Sequence, residues 1–376
     1  MKLSEITSII TDYVANGSFA SLRENAKYVS KEKGYARVIR LTDENNHYSL
    51  EDAIFVNYES YCFLSKSKLD SGDIIVTNVG AYLGTVFQCP NLNIPMTLGP
   101  NAILIKPNNL VINKYLYYLL NSNYGHRKLL SLISGSAMPK FNKTDLKNLN
   151  ISIHNKSLQH HIVNTIGSVD NLIENYQSQI EKIIKIGDHL LITDSNKKSI
   201  IEYVDVLLGG TPSRKHLEYW NGDIKWINSG AITGTPAILK ESDFITIDGV
   251  KHSATKSANK GDTVLSIIEP SKSKVALILD DNVYFNQSVI CFSSKNKLDK
   301  GFIFFASRSL IEEIKGYATG AAQQSLNKEM IEKSKIHVPN QKIKIKLNNF
   351  FYSIISLEEK IRKLTILKEM LLLKYF

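Results

Sequence analysis

Three stretches of this 376-residue sequence hold residue types from which catalytic centres are built. His160-His161 offers two imidazoles for a metal, but neighbours on a helix point about 100° apart and a helical metal pair needs i,i+4 spacing, so the pair reads as solvated. Glu358-Glu359-Lys360 has the carboxylates and lysine of a nuclease motif. It lies inside a long helical pattern with no preceding Pro-Asp, and reads as non-catalytic. GGTPSRK (Gly209–Lys215) is glycine-rich, yet it lacks the spacing and the Gly-Lys pair with which a phosphate-binding loop cradles a nucleotide. The dinucleotide fingerprint, the Asn-Pro-Pro-aromatic motif of amino-methyltransferases and the G-x-S-x-G elbow are all missing from the sequence. These absences argue against an ATP motor and against a self-sufficient nuclease or methyltransferase.

The chemistry on offer instead is recognition. Arg37 and Arg40 flank a strand candidate, and Lys225 and Asn228 occupy the same places in a second copy of it. Tyr82 in NVGAYLG matches the position in EPSKSK where Lys272 and Lys274 cluster. Lys140, Asn142 and Lys143 match Ser325, Asn327 and Lys328, with Gln323 and Gln324 just before, and Arg214 lies in the glycine-rich stretch. Arg, Lys, Asn and Gln are the residues that grip phosphates and read base edges bidentately. Any one of them, taken alone, reads as solvated surface; matched placement is what singles out the loops as DNA-binding candidates. The excess of 46 Lys+Arg over 36 Asp+Glu, net +10, suggests a polyanionic partner or an acidic membrane surface, and is weak evidence on its own.

The elements that must position these residues come in two copies. SGSAMPKFNKTDL from Ser134 echoes TGAAQQSLNKEMI from Thr319, and a constant offset of 185 residues pairs Gly135 with Gly320, Ala137 with Ala322, Asn142 with Asn327, Lys143 with Lys328 and Ile151 with Ile336. SGDIIVTNVGAYLGTVFQ from Ser71 and KGDTVLSIIEPSKSKVAL from Lys260 each predict a Gly-Asp turn followed by two strands. YARVIRL from Tyr35 and DIKWINS from Asp223 form a third pair, and the order is the same throughout. Helix candidates, NKYLYYLLNS and KGFIFFASRS, precede each glycine-containing echo.

Each copy runs into a long helix with a heptad-like apolar seam. Leu158, Ile162, Val169, Leu172, Tyr176 and Ile183 line the first, with polar Thr165 and Gln179 at two seam positions. Ile343, Leu347, Ile354, Leu357, Ile361 and Leu364 line the second. At roughly 50 Å, each exceeds what a small domain needs, so the seams predict an antiparallel pair. The expected fold class is α/β: two similar globular domains at 1–154 and 193–338, separated and followed by long antiparallel-packing helices at 155–192 and 339–376. The N-terminus lacks a basic region followed by an apolar run and no stretch reaches about 18 uninterrupted apolar residues, which predicts a soluble, cytoplasmic chain without membrane contact. Cys62, Cys89 and Cys291 have neither disulfide nor zinc spacing and are expected to be buried, reduced filler.

GGTPSRKHLEYWNGDIKWINSGAIT (Gly209–Thr233) resembles the start of a target recognition domain in the DNA specificity subunit of type I restriction-modification enzymes. The resemblance extends to both Gly-Asp strands, the Gly-x-Ala echo and a long helix after each domain, and so covers essentially the whole chain. The first copy departs from the pattern, since ITSIITDYVANGSFASLREN (Ile6–Asn25) has no Gly-Gly-Thr-Pro. The resemblance implies a noncatalytic reader of double-stranded DNA whose pseudo-twofold domains each bind half of a gapped target, with the helices as the ruler. It also implies two methyltransferase subunits that methylate adenine N6 using S-adenosylmethionine, and restriction/translocase subunits that use ATP and Mg2+. No cofactor is expected in this chain. The competing readings are a standalone regulatory or architectural DNA-binding protein, a self-sufficient enzyme with an unusual site, and the recognition subunit of a combined restriction and methylation enzyme.

Overall fold

A computed structural model describes residues 1–46, 48–50, 52–133, 139–269, 274–317 and 325–376. The chain divides into two compact units, one made of Met1–Asp170 with Leu367–Phe376 and the other of Asn171–Ile366.

The first unit contains strands β1 (Thr7–Asp12), β2 (Tyr28–Val29), β3 (Ala36–Ile39), β4 (Ile54–Val56), β5 (Lys68–Leu69), β6 (Ile74–Thr77), β7 (Val86–Gln88), β8 (Met96–Leu98) and β9 (Ala102–Pro107). They form one sheet of order β1-β9-β6-β7 and another of order β2-β4-β3-β8-β5, in which β3 and β8 run parallel. Strand periodicity of two explains the layering. Ile74, Val76, Ile103 and Ile105 pack with Tyr115, Leu116 and Tyr118 of helix Asn113–Asn121, whereas Ile75, Ala102 and Leu104 pack with Ile39, Met96 and Leu98 of the second sheet. A strand covered on both faces needs apolar residues at every position, which is why β6 reads Ile-Ile-Val-Thr without alternation.

The second unit repeats the plan with β10 (Ser195–Ser199), β11 (Val204–Leu208), β12 (Trp220–Ile227), β13 (Asp243–Ile245), β14 (Lys256–Ala258), β15 (Thr263–Ser266), β16 (Val275–Leu277), β17 (Val283–Phe285), β18 (Val289–Ser294) and β19 (Lys335–Pro339). Its sheets, β11-β18-β15-β16 and β13-β12-β17-β14, repeat those of the first unit, including a parallel β12–β17 pair, except that β2 has no counterpart. β10 and β19 add a separate two-stranded ribbon. The Gly-Asp turns match as well: Gly72 (φ 85°) and Gly261 (φ 83°) take the left-handed backbone a side chain would resist. Asp73 then accepts from Asp70 N at 2.7 Å and Asp262 from Asn259 N at 2.9 Å, each also paired with a lysine, Lys106 or Lys300.

The long helices span Lys156–Ile192 and Gln341–Tyr375. Within the first unit His161 Nε2 lies 3.0 Å from Tyr375 Oη and Lys368 Nζ lies 2.6 Å from Asp170. Within the second unit Lys360 Nζ sits 5.5 Å from the Tyr176 ring centroid. Rising numbers on one helix meet falling numbers on the other, so the packing is antiparallel. Ile162, Val169, Ile343, Leu347, Ile354, Leu357 and Ile361 are buried, while Leu158, Tyr176, Ile183 and Leu364 are half-buried. Leu172 is a correction: it is 45% exposed, and the buried stripe shifts by one residue to the half-buried Ile173 and then to Ile180 and Ile184. A straight helix of 3.6 residues per turn drifts about 20° per heptad from a strict seam, enough to carry Leu172 out of the contact. Cys62, on helix Tyr58–Phe63, is exposed rather than buried; Cys89 and Cys291 are buried. Among the described residues no helix is long and apolar enough to cross a membrane.

Candidate nucleic-acid interface

In each unit the loops leaving three strands converge at one end of the sheets, held by the same backbone hydrogen bonds. In the first, Gly99 N donates to Ile39 O (2.9 Å), Asn78 N to Asn101 O (3.2 Å) and Phe141 N to Asn78 O (3.2 Å). In the second, Asn286 N donates to Ile227 O (3.0 Å), Ile267 N to Ser288 O (3.1 Å) and Leu326 N to Ile267 O (2.9 Å). The loop after β6 thereby meets the segment carrying Lys140, which bridges Val79, and the loop after β15 meets Ser325, which bridges Ile268. Sequence pairing therefore selected segments that the fold does bring together.

The side chains singled out there have differing jobs. Asn142 and Asn327 are N-caps: each side-chain oxygen accepts a backbone N–H, from Asp145 at 2.8 Å and Met330 at 2.9 Å, opening helices Lys143–Lys147 and Lys328–Glu332. Buried Phe141 and Leu326 precede these caps, and buried Leu146 and Ile331 follow at the staple position. The strongest echo in the sequence is thus a repeated helix start. Lys143 pairs with Asp12 at 3.0 Å and Lys328 with Glu332 at 3.4 Å.

Arg37 is a further correction, because it is 2% exposed and points inward. Its guanidinium donates to Tyr48 O, Ser49 O and the buried Asp43 carboxylate, tying down the loop before β4. Arg40 grips the same carboxylate at 2.8 Å and Asp52 O at 2.7 Å, leaving it partly exposed beside the loop junction. Lys225 bonds Asp280 at 2.6 Å, and Arg362 joins it at 2.9 Å. Burial alone would raise the Asp280 carboxyl, but these two cations outweigh it and hold it below its ordinary value.

Other candidates lie at the surface or half-buried beside it. Tyr82 is 67% exposed on the loop between β6 and β7. The Arg214 guanidinium carbon lies over Trp220, 3.3 Å from the ring centroid, and the side chain pairs with Asp243 at 2.8 Å. Lys274 sits 4.0 Å from Glu269 in the loop before β16. Asn228 caps its own loop by accepting from Gly230 N at 2.8 Å. Lys272, Gln323 and Gln324, with the glycines and alanines of the echo, lie outside the described residues.

Two residues at the junction escaped sequence reasoning. Thr211 Oγ1 donates to Gln287 Oε1 at 2.5 Å, and Gln287 stands exposed in the turn between β17 and β18. Thr211 belongs to the glycine-rich motif, but nothing in the sequence joins it to a residue 76 positions away. The repeat hides Gln287 too, because the matching turn of the first unit holds Pro100.

A family model described as the type I restriction modification DNA specificity domain matches the chain twice, over residues 10–185 and 193–365. The type I restriction enzyme MjaIX specificity subunit of Methanocaldococcus jannaschii is 24% identical over 334 residues, covering 81% of this chain and 76% of that protein. The crystal structure of a type I restriction-modification system S subunit from M. genitalium superposes with a TM-score of 0.50 at 15% identity, covering 100% of this chain and 95% of that one, a likeness of fold.

Proposed function

We infer the roles below from one premise: the chain belongs to the type I restriction-modification DNA specificity family. It is a noncatalytic DNA sequence-recognition subunit, and its partners are DNA and the other subunits of a restriction-modification complex. On our reading, the domains at 1–154 and 193–338 are target recognition domains, each taking one half of a gapped target, and the helices at 155–192 and 339–376 set the gap. The complex partners are two methyltransferase subunits, which bind S-adenosylmethionine and methylate an adenine flipped out of each half-site, and restriction/translocase subunits, which use ATP and Mg2+.

The observation that carries this reading is a constant frame with variable readers. The same three backbone hydrogen bonds recur in both loop junctions, yet the side chains they present differ, Arg40 against Asn228 and Pro100 against Gln287. A frame of this kind lets two related domains read two different half-sites. Tyr82, Arg40, Lys140, Asn228 and Lys274 are the contacts we assign to the junctions, with Arg214 as a guanidinium pre-positioned on Trp220.

The test is a modified-base map of the source genome by long-read sequencing, with and without this gene. Loss of N6-methyladenine at a single gapped two-part motif is the expected result. If every methylated motif survives deletion in a strain that expresses the protein and its methyltransferase, the chain is not a working specificity subunit.

A further inference from the structure

We propose that Gln287 reads an adenine in the half-site of the second unit and that Thr211 holds it in position to do so. The proposal rests on the reading that this loop junction faces DNA. The turn that carries Gln287 is fixed on both sides: Asn286 N donates to Ile227 O at 3.0 Å, and the Asn286 side chain accepts from Ser288 N at 3.1 Å. Asn286 and Ser288 are buried, so Gln287 is the one residue of the turn that faces outward.

The glycine-rich motif brings Thr211 to it. Gly210 N donates to Phe285 O at 2.9 Å, and a Cβ on Gly209 would lie 2.2 Å from Phe285 O and 2.4 Å from Asn286 O. Only a residue without a side chain lets the segment approach this closely. The approach puts the Thr211 hydroxyl on Gln287 Oε1 at 2.5 Å, which anchors the end of an amide that otherwise turns freely. Oε1 keeps a second lone pair and Nε2 keeps its donors, an acceptor beside a donor. That pair complements the N6–H and N7 edge of adenine in the major groove. Fixing a flexible side chain before binding also lowers the entropy lost on contact. Pro100 in the matching turn of the first unit has no side-chain donor or acceptor, so adenine reading at this place belongs to one half of the target alone.

The experiment uses the full chain assembled with its methyltransferase subunits. Wild type, Gln287→Ala, Gln287→Glu and Thr211→Val are compared by long-read methylation maps, and by binding to duplexes that carry the wild-type motif or single-base changes. We expect Gln287→Ala to lower affinity for the wild-type site on the order of 10- to 100-fold and to erase discrimination at one A·T pair of one half-site. Gln287→Glu, which swaps the donor for an acceptor, shifts preference at that pair toward cytosine. Thr211→Val relaxes the same pair by a smaller factor. An unchanged motif and affinity in Gln287→Ala overturns the proposal, as does a uniform loss across all sequences, the signature of a phosphate grip. A wild-type complex that methylates no two-part motif would instead overturn the functional reading on which the proposal rests.

Discussion

Glu358 is an acidic residue in an apolar place, 3% exposed on the second long helix between buried Leu357 and Ile361. Burial raises its carboxyl from 4.5 to about 7. Between those values the unfolded chain has released the proton and the folded chain still holds it. Folding therefore takes up a proton in that window, and stability falls as pH rises from about 4.5 to about 7 before levelling off. Glu358→Gln removes the charge at nearly constant size, so it should add about 1–3 kcal/mol at pH above 7 and nothing below about 4.5. Urea unfolding at the two extremes measures this, and equal effects at both would refute it. At this scale the sequence misled where burial decides. Arg37 carries the right chemistry for DNA, and only the fold reveals that Tyr48, Ser49 and Asp43 use its donors.

Elements were more legible than residues because their signals are periodic or repeated. The Gly-Asp turns, the paired strands and both long helices are readable from spacing, and the Asn142 and Asn327 caps were visible as an echo. The phase of the seam was not, since a one-residue shift depends on what lies opposite, as Leu172 shows. Nor was the packing of the first long helix on helix Lys300–Ile314, where Gly187 comes so close to Phe305 that a Cβ would lie 2.2 Å from the ring. Ala at 187 would gain about 1 kcal/mol of helix propensity. Phe305 is fully buried and has nowhere to go, so overpacking of about 1–3 kcal/mol or more should win. Gly187→Ala should lower the thermal midpoint by several degrees. A midpoint above wild type would mean that the two helices separate without cost.

For the molecule as a whole, the duplicated sheets and the double family match make a two-part target the natural reading. If the helices set the gap, a matched insertion of seven residues into each, keeping the face that packs, adds about 10 Å of helix. With base pairs spaced about 3.4 Å apart, the methylated motif should gain about three unspecified positions and keep both halves. A methylation map of that variant with an unchanged gap would sink the ruler.

The assignment of residues 367–376 to the first unit has a consequence for how the protein is made. Phe376 packs at a tilt against Tyr115 and His154, Tyr375 meets His161, and Lys368 reaches Asp170. The ribosome delivers residues 1–170 first, but the last side chains they pack against are translated after the whole second unit. The first unit to be synthesised is therefore the last to be completed, so a chain ended after residue 366 would carry every residue of the second unit and an open first one.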